Sequence, residues 1–535
     1  MHILRYLTIL FILHCNAYSL QIENVYFGFN NSVHSNSFNF VNFTIYNDTA
    51  KPYEGSIKLK DSGIGIKTVS TKEIFLTPNQ KKSLQMYFYV EDSPNELILE
   101  YGKKREEIKV PQSNAPANIF ISSRKIRLPR DLKFLPETNF PFSVAYTHGL
   151  FSVVIDTVPD WTPKQKKAFM DWLKLGGNVF VLKGQSGKFP RFTSSMAELN
   201  NKEKRFSLGS GIVTKVDSLM QIKFPTVSKQ ENSQHDYYLD DEENIFANLQ
   251  LLVKTDHNWA FIYLLIILYL ILIGPINYMI GRKTRDWKLP NLFFLLTVIL
   301  FSVFFSIIGR RGYGEETKLN SFTLADHISE NNFLVKQWSN IFVTSGSTYS
   351  FKHDTEDNLY ASPSNFEMAT KIDQTESSFV AEIPLFSSKR MIHMGTGKGH
   401  DFEMIEFKED GNNVKLKVES STKIKEAWFV KNGTVYKSKK ENGTFSLSDP
   451  INFDHYYNSD AENAYKVIEK IVLKQASRNK NEALNPRVDP YQNSDSVHFY
   501  ALTETPNSFH SVGEISDNET GWTLNRFKLN LNEAL

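Results

Sequence analysis

The sequence predicts a multidomain fold, α/β plus all-β, with a two-helix transmembrane hairpin near its middle. Three observations carry that expectation. Two apolar runs without Asp, Glu, Lys or Arg, Trp259–Ile280 and Leu289–Ile308, are each long enough as helices to cross the roughly 30 Å hydrocarbon core of a bilayer. Ahead of them lies a strand, helix, strand pattern, the mark of a parallel sheet. On either side, short stretches alternate apolar and polar residues with period two, as antiparallel strands do. Composition agrees, because 13% of the residues are aromatic, with 41 Phe and 23 Tyr, and such side chains fill strand-rich cores well.

Residues 1–19 read as a signal peptide. Arg5 precedes the apolar run Tyr6–Leu13, and Ala17 and Ser19 supply the small residues of a cleavage site. Cys15 is the only cysteine, and a lipoprotein reading makes it the acylated residue, although His14 fits poorly just before it. Cleavage after Ser19 leaves no thiol, which excludes disulfides, a Cys nucleophile and thiolate metal sites. Residues 20–112 follow as an immunoglobulin-like β-sandwich: Phe38, Phe40, Val41, Phe43 and Ile45 alternate after one slip, and Leu84, Met86, Phe88 and Val90 alternate with Gln85, Tyr87 and Tyr89.

Residues 113–256 change character. Phe151–Asp156 is a short buried strand, and Thr162, Pro163 and Gln165 combine an N-cap, a first-turn proline and a capping-box partner. The helix they open buries Ala168, Phe169, Trp172 and Leu173 and stops at Gly176-Gly177, before the strand Asn178–Leu182. The acidic stretch His235–Asn244 reads as a solvated loop leading to the membrane.

Residues 257–309 form the expected hairpin, with helices at 259–280 and 289–308. Pro275 lacks an N–H and its ring presses on the carbonyl of Ile271, so the first helix should kink at Gly274-Pro275. Asn277 brings an amide that lipid cannot satisfy. Gly274, Pro275 and Asn277 are therefore candidate helix-packing residues, against the second helix near Pro290–Leu296 or against a partner span. The turn holds Arg282, Lys283, Arg285 and Lys288, so the segment 281–288 is expected in the cytoplasm and both flanking parts outside it. Residues 310–535 read as an extracytoplasmic β-rich domain with one helix at 460–477. Val414, Leu416 and Val418 alternate with charged residues, Asn432-Gly433 and Asn442-Gly443 are hairpin turn pairs, and Ser459 and Glu462 form a capping box.

The strand ending in Asp156, the stretch Trp161-Thr-Pro to Trp172-Leu-Lys-Leu-Gly-Gly-Asn-Val-Phe-Val181 and the Gly274-Pro-Ile-Asn-Tyr278 helix together resemble a family of poorly characterised bacterial membrane proteins. That resemblance implies a class I glutamine-amidotransferase-like (flavodoxin-like) α/β domain beside the sandwich. It also implies a place in the bacterial cytoplasmic membrane and an envelope accessory role beside an ABC-type transporter, but no assigned reaction.

The chemistry of such a domain needs a Cys activated by His and an acid, and Cys15 belongs to the signal. Gly184-Gln-Ser186-Gly187 departs from the G-x-S-x-G elbow, so a flexible loop is the favoured reading of Ser186. Gly395-Thr-Gly-Lys-Gly399 matches a phosphate loop in composition only and reads as a hairpin turn. His393, His400 and Asp401 fit no metal-ligand spacing, and Asp240–Glu243 lacks the pattern of a Ca²⁺ loop. A net charge of +2 with no long run of one sign excludes a nucleic-acid surface. The expectation is a non-enzymatic membrane-anchored scaffold or accessory subunit, with the lipid bilayer and an envelope protein as partners, no cofactor, no metal and no catalytic residue. The alternative is an extracytoplasmic ligand sensor or hydrolase using a pocket at the carboxyl ends of the α/β strands, where Asp156 and Ser186 are the candidate residues.

Overall fold

The strand Thr68–Leu76 pairs on one side with its sequence neighbour Tyr53–Asp61, antiparallel, and on the other with Thr370–Asp373, in parallel. The second partner comes from beyond the helical middle of the chain. This ladder makes a single eight-stranded sheet out of two distant regions, in the order Ser511–Val512, Ser347–His353, Ser378–Ile383, Thr370–Asp373, Thr68–Leu76, Tyr53–Asp61, Glu96–Tyr101, Lys104–Lys109. Gln374 reinforces the join. Its amide donates to the Tyr87 carbonyl at 2.8 Å and its Oε1 accepts from the Tyr87 N–H at 3.2 Å. The computed structural model describes residues 20–61, 68–91, 96–111, 117–122, 127–222, 224, 235–252, 259–284, 287–309, 316–363, 368–410, 413–431, 434–441, 443–451, 497–513, 515 and 518–529. The expected signal peptide with Cys15, the helix at 460–477, the Asn432-Gly433 turn and Arg285 lie outside them.

Three further sheets complete the body. A three-stranded antiparallel sheet runs Leu20–Phe27, Ser37–Asn47, Lys81–Val90. An eleven-stranded sheet is drawn wholly from residues 318–529, and all its pairings are antiparallel except that of Lys318–Ser329 with Glu519–Leu529. A six-stranded sheet holds Arg205–Leu208, Gly211–Val216, Asn178–Leu182, Leu150–Ile155, Ala117–Ile121 and Leu132–Phe134, parallel throughout except for its first pair. One hydrophobic cluster links all these parts, from Phe38 and Tyr87 through Val153 and Trp172 to Trp338, Phe379 and Tyr500.

The expected fold class is corrected on three points. The chain is mostly β-sheet. The strands of residues 20–110 lie in two sheets that share a core of their own, with Val41, Ile45 and Met86 from one and Ile57, Ile74 and Leu99 from the other, and the second of these sheets is continued by strands 347–383. The amidotransferase-like α/β domain is not evident: among the described residues one α-helix, Pro163–Lys174, crosses between parallel strands, and the other connections are 3-10 turns, loops and an antiparallel pair. The two-helix transmembrane hairpin is also corrected. Among the described residues a single helix, Tyr263–Thr284, is long and apolar enough to cross a membrane, and Lys288–Phe304 is a shorter apolar helix beside it.

Local signals act as their chemistry dictates. Thr162 and Gln165 form the reciprocal capping box, with Pro163 in the first turn. Trp172 donates its indole N–H to the Leu150 carbonyl at 3.2 Å, and its ring lies against Gly177, where a Cβ would come within 2.6 Å of it. The acidic stretch thought to be a loop is instead the helix His235–Leu251, whose Ile245, Phe246 and Leu249 are buried. Its Glu242 carboxylate accepts from Tyr89 Oη (2.6 Å), Lys336 Nζ (2.8 Å) and Trp338 Nε1 (3.1 Å), and Glu243 pairs with Arg390.

A shared core predicts shared cooperativity. Trp172→Ala, in the helix Pro163–Lys174, and Phe379→Ala, in the eight-stranded sheet, should each cost about 3–5 kcal/mol and lower one common thermal transition. Calorimetry that resolves two transitions, with each substitution moving only one of them, would show independent domains.

Candidate functional site

Three places hold the residues of interest, beginning with the helical arm. The helix Trp259–Ile271 passes into a π turn, Leu272–Ile276, and continues as Asn277–Thr284. Pro275 sits inside the π turn, which absorbs its missing donor: the Asn277 N–H reaches the carbonyls of Leu272 and Gly274. Gly274 does not pack on the second helix, for a Cβ there would meet nothing within 4 Å. The helices meet instead at Gly281, 3.6 Å from Pro290 Cγ by the same measure, and where Tyr269 and Phe301 pack at 5.1 Å. Asn277 Oδ1 is buried without a hydrogen-bond partner among the described residues. Outward, the arm exposes Leu264, Ile267, Leu270, Leu292 and Ile299, each more than half exposed.

The second place is the carboxyl end of the parallel strands. Arg127 to Pro129, Leu182, Lys183 and Asp217 to Met220 line an open cleft of about 530 Å³. Lys183 and Asp217 form an ion pair at 2.7 Å, and this hydrogen bond holds the Asp217 carboxyl below its usual range. Asp156 and Ser186 are not brought together there. Asp156 is buried, with Gly184 drawn over its carbonyl, whereas Ser186 is exposed on a turn closed by Gly184 N–H to Lys188 O (2.9 Å) and Gly187 N–H to Gly184 O (3.0 Å). Ser186 has no hydrogen-bonded acid or base among the described residues, so no nucleophile is assembled.

The third place was missed in the sequence. Between the eight- and eleven-stranded sheets lies a buried polar cluster. The rings of His353 and His393 stack at 3.7 Å, 3° from parallel. His353 bonds Tyr360 Oη (3.1 Å) and Gln337 Oε1 (2.9 Å), and His393 Nε2 bonds Asn358 Oδ1 (2.8 Å). Glu519 accepts from the Ser511 N–H (2.7 Å), Ser511 Oγ (2.8 Å), Gln337 Nε2 (3.2 Å) and Ser321 Oγ (3.3 Å). Burial pushes the Glu519 carboxyl up to about 7 and His353 down to about 3. Gly395–Gly399 is not a hairpin turn: the strand Ser387–Lys398 runs through it, and a Cβ on Gly395 would strike Asn358 Oδ1 at 2.8 Å. His400 and Asp401 lie elsewhere, on the Glu504 carbonyl and on Asn331. Among the described residues no three His, Cys, Asp or Glu side chains could hold a metal ion. The only signal for this cluster in the sequence is the recurrence of polar residues at every second position, as in Gln337 and Ser339 or Thr523 and Asn525.

No family model and no curated protein matches the chain. Among solved structures it is similar to a Paenibacillus sp. cycloisomaltooligosaccharide glucanotransferase complexed with cycloisomaltoheptaose, at 8% identity over 70% of each chain and a TM-score of 0.17, a likeness that carries no argument.

Two outcomes follow from this geometry. Ser186→Ala should leave stability within about 0.5 kcal/mol of the parent. For pH, burial holds His34 at about 4 and His353 and His498 at about 3, below the 6.5 of a free histidine. Their contribution to stability is therefore complete above pH 6.5 and lost as pH falls through 4 to 3. Glu519, raised from 4.5 to about 7, has the opposite sign: its contribution is present below pH 4.5 and lost as pH rises through 7. The unfolding midpoint should drop between pH 7 and 4, and Glu519→Gln should steepen the drop between 7 and 4.5. A midpoint that rises on acidification would contradict the assignment.

Proposed function

We propose that this protein is a non-enzymatic, membrane-anchored scaffold or accessory subunit of a bacterial envelope, which holds a rigid β body at a bilayer through its apolar helical arm. The observation that carries this reading is the ladder between Thr68–Thr71 and Thr370–Asp373. Strands from before and after the arm belong to one sheet, so the chain leaves the body and returns to it, and the arm is an appendage. Its outward apolar side chains form a surface that water penalises and a lipid bilayer or a partner span accepts. A body so tied together presents fixed surfaces to envelope proteins, and the cleft and the polar cluster offer no assembled nucleophile. The sequence resemblance directs the search for a partner to ABC-type transport systems.

The test is extraction and accessibility. The full chain in membranes should resist alkaline carbonate, while the double variant Ile267→Arg, Leu268→Arg, at about 2.5–3.5 kcal/mol per charge near the bilayer centre, should be released or degraded. Tags placed in the turns at Gly102–Lys103 and Glu330–Asn331 should be cleaved from the same face of sealed vesicles. Release of the parent protein by carbonate, or cleavage from opposite faces, would overturn the proposal.

A further inference from the structure

Lys389 lies in the strand Ser387–Lys398, on the inward face it shares with Met391 and His393, and all three are 0% exposed. Its ammonium nitrogen has no hydrogen-bond acceptor among the described residues. Other enclosed lysines are matched: Lys336 bonds Glu242 at 2.8 Å and Lys431 bonds Glu409 at 2.7 Å. Along its own row of the sheet Lys389 faces Ile341, then Leu319, and only on the third neighbouring strand a carboxylate, Glu519. Both oxygens of Glu519 already accept from Ser511, Ser321 and Gln337. Burial lowers the ammonium to about 8, which leaves it mostly charged at neutral pH.

A second orphan donor stands beside it. Ser339 pairs with Met391, which makes it the diagonal neighbour of Lys389 on the same inward face. It too is 0% exposed, and its hydroxyl has no partner. Diagonal neighbours in an antiparallel pair lie about 7–8 Å apart, within reach of a four-methylene stem. An uncompensated buried cation is strongly unfavourable, and two unmatched donors on adjacent residues call for the same kind of acceptor. The surrounding side chains, Ile341 and Met391, are apolar and fully buried, so the acceptor must be small.

We infer that Lys389 and Ser339 form an internal binding site for a small inorganic anion of the halide class, enclosed in the inward face of the eleven-stranded sheet. The anion supplies the counter-charge the fold does not, and it binds the folded chain only.

The experiment compares thermal unfolding of the full chain in sodium chloride and in sodium gluconate, whose anion is too large to enter, at matched ionic strength. Chloride should raise the midpoint saturably by about 1–3 °C. Lys389→Met should abolish the difference, and Ser339→Ala should raise the half-saturating chloride concentration about tenfold. Equal midpoints for the parent in the two salts would overturn the site, as would a saturable chloride effect that survives in Lys389→Met. Should Lys389→Met fail to fold, an unchanged half-saturation in Ser339→Ala overturns it alone.

Discussion

One carboxylate holds together parts that sequence order keeps far apart. Glu242 accepts from Tyr89 of the three-stranded sheet and from Lys336 and Trp338 of the eleven-stranded sheet, while Lys336 also donates to the Asn36 carbonyl at 3.1 Å. Hydrogen bonds to a charged group contribute about 1.5–3 kcal/mol each, so this junction is among the stronger polar ones in the body. Its effect on Tyr89 is visible in the phenol, which burial and then the adjoining carboxylate raise well above its ordinary value. Because Glu242 belongs to the helix His235–Leu251, that helix is fixed relative to both sheets.

The interior between the two large sheets carries a polar cluster inside its apolar core. Stacked histidines, Gln337, Glu519 and the hydroxyls of Ser321 and Ser511 replace the aliphatic contacts that would cost less to bury. Such a network fits one register only, since a slip by one residue would turn the whole polar set outward. The short strand Ser511–Val512 shows the effect: it pairs with Lys352 and His353 in the eight-stranded sheet, while the Ser511 N–H bonds Glu519 of the eleven-stranded sheet. Specific pairing is thus obtained with groups that contribute little to net stability.

What was legible in the sequence was local. The capping box of Thr162 and Gln165, the buried stripe of the helix it opens and the exception at Pro275 all depend on neighbours within one or two turns. Strand pairing is different, because alternation says that Thr68–Leu76 has two faces and nothing about the segment that will lie along its edge. The helix His235–Leu251 was hidden by its acids, which drew attention away from Ile245, Phe246 and Leu249 at helical spacing. Gly395 and Gly397 read as a turn because glycine usually breaks strands. Here they are strand residues, chosen because Asn358 and Thr355 occupy the space a Cβ would need. The candidate residues Asp156 and Ser186 show the same thing: sequence placed both at strand ends but could not say that one is covered and the other faces solvent.

The ladder between the two halves of the eight-stranded sheet also sets a timetable. Glu73 and Thr375, which bond across it, are 302 positions apart. At roughly 5–20 residues per second of synthesis, the first strand waits about 15 to 60 s before its partner exists. During that interval its unpaired edge is open to any other strand that can add to it. The newborn N-terminal part therefore depends on being shielded, by a chaperone or by slow release, until the last third of the chain arrives to complete it.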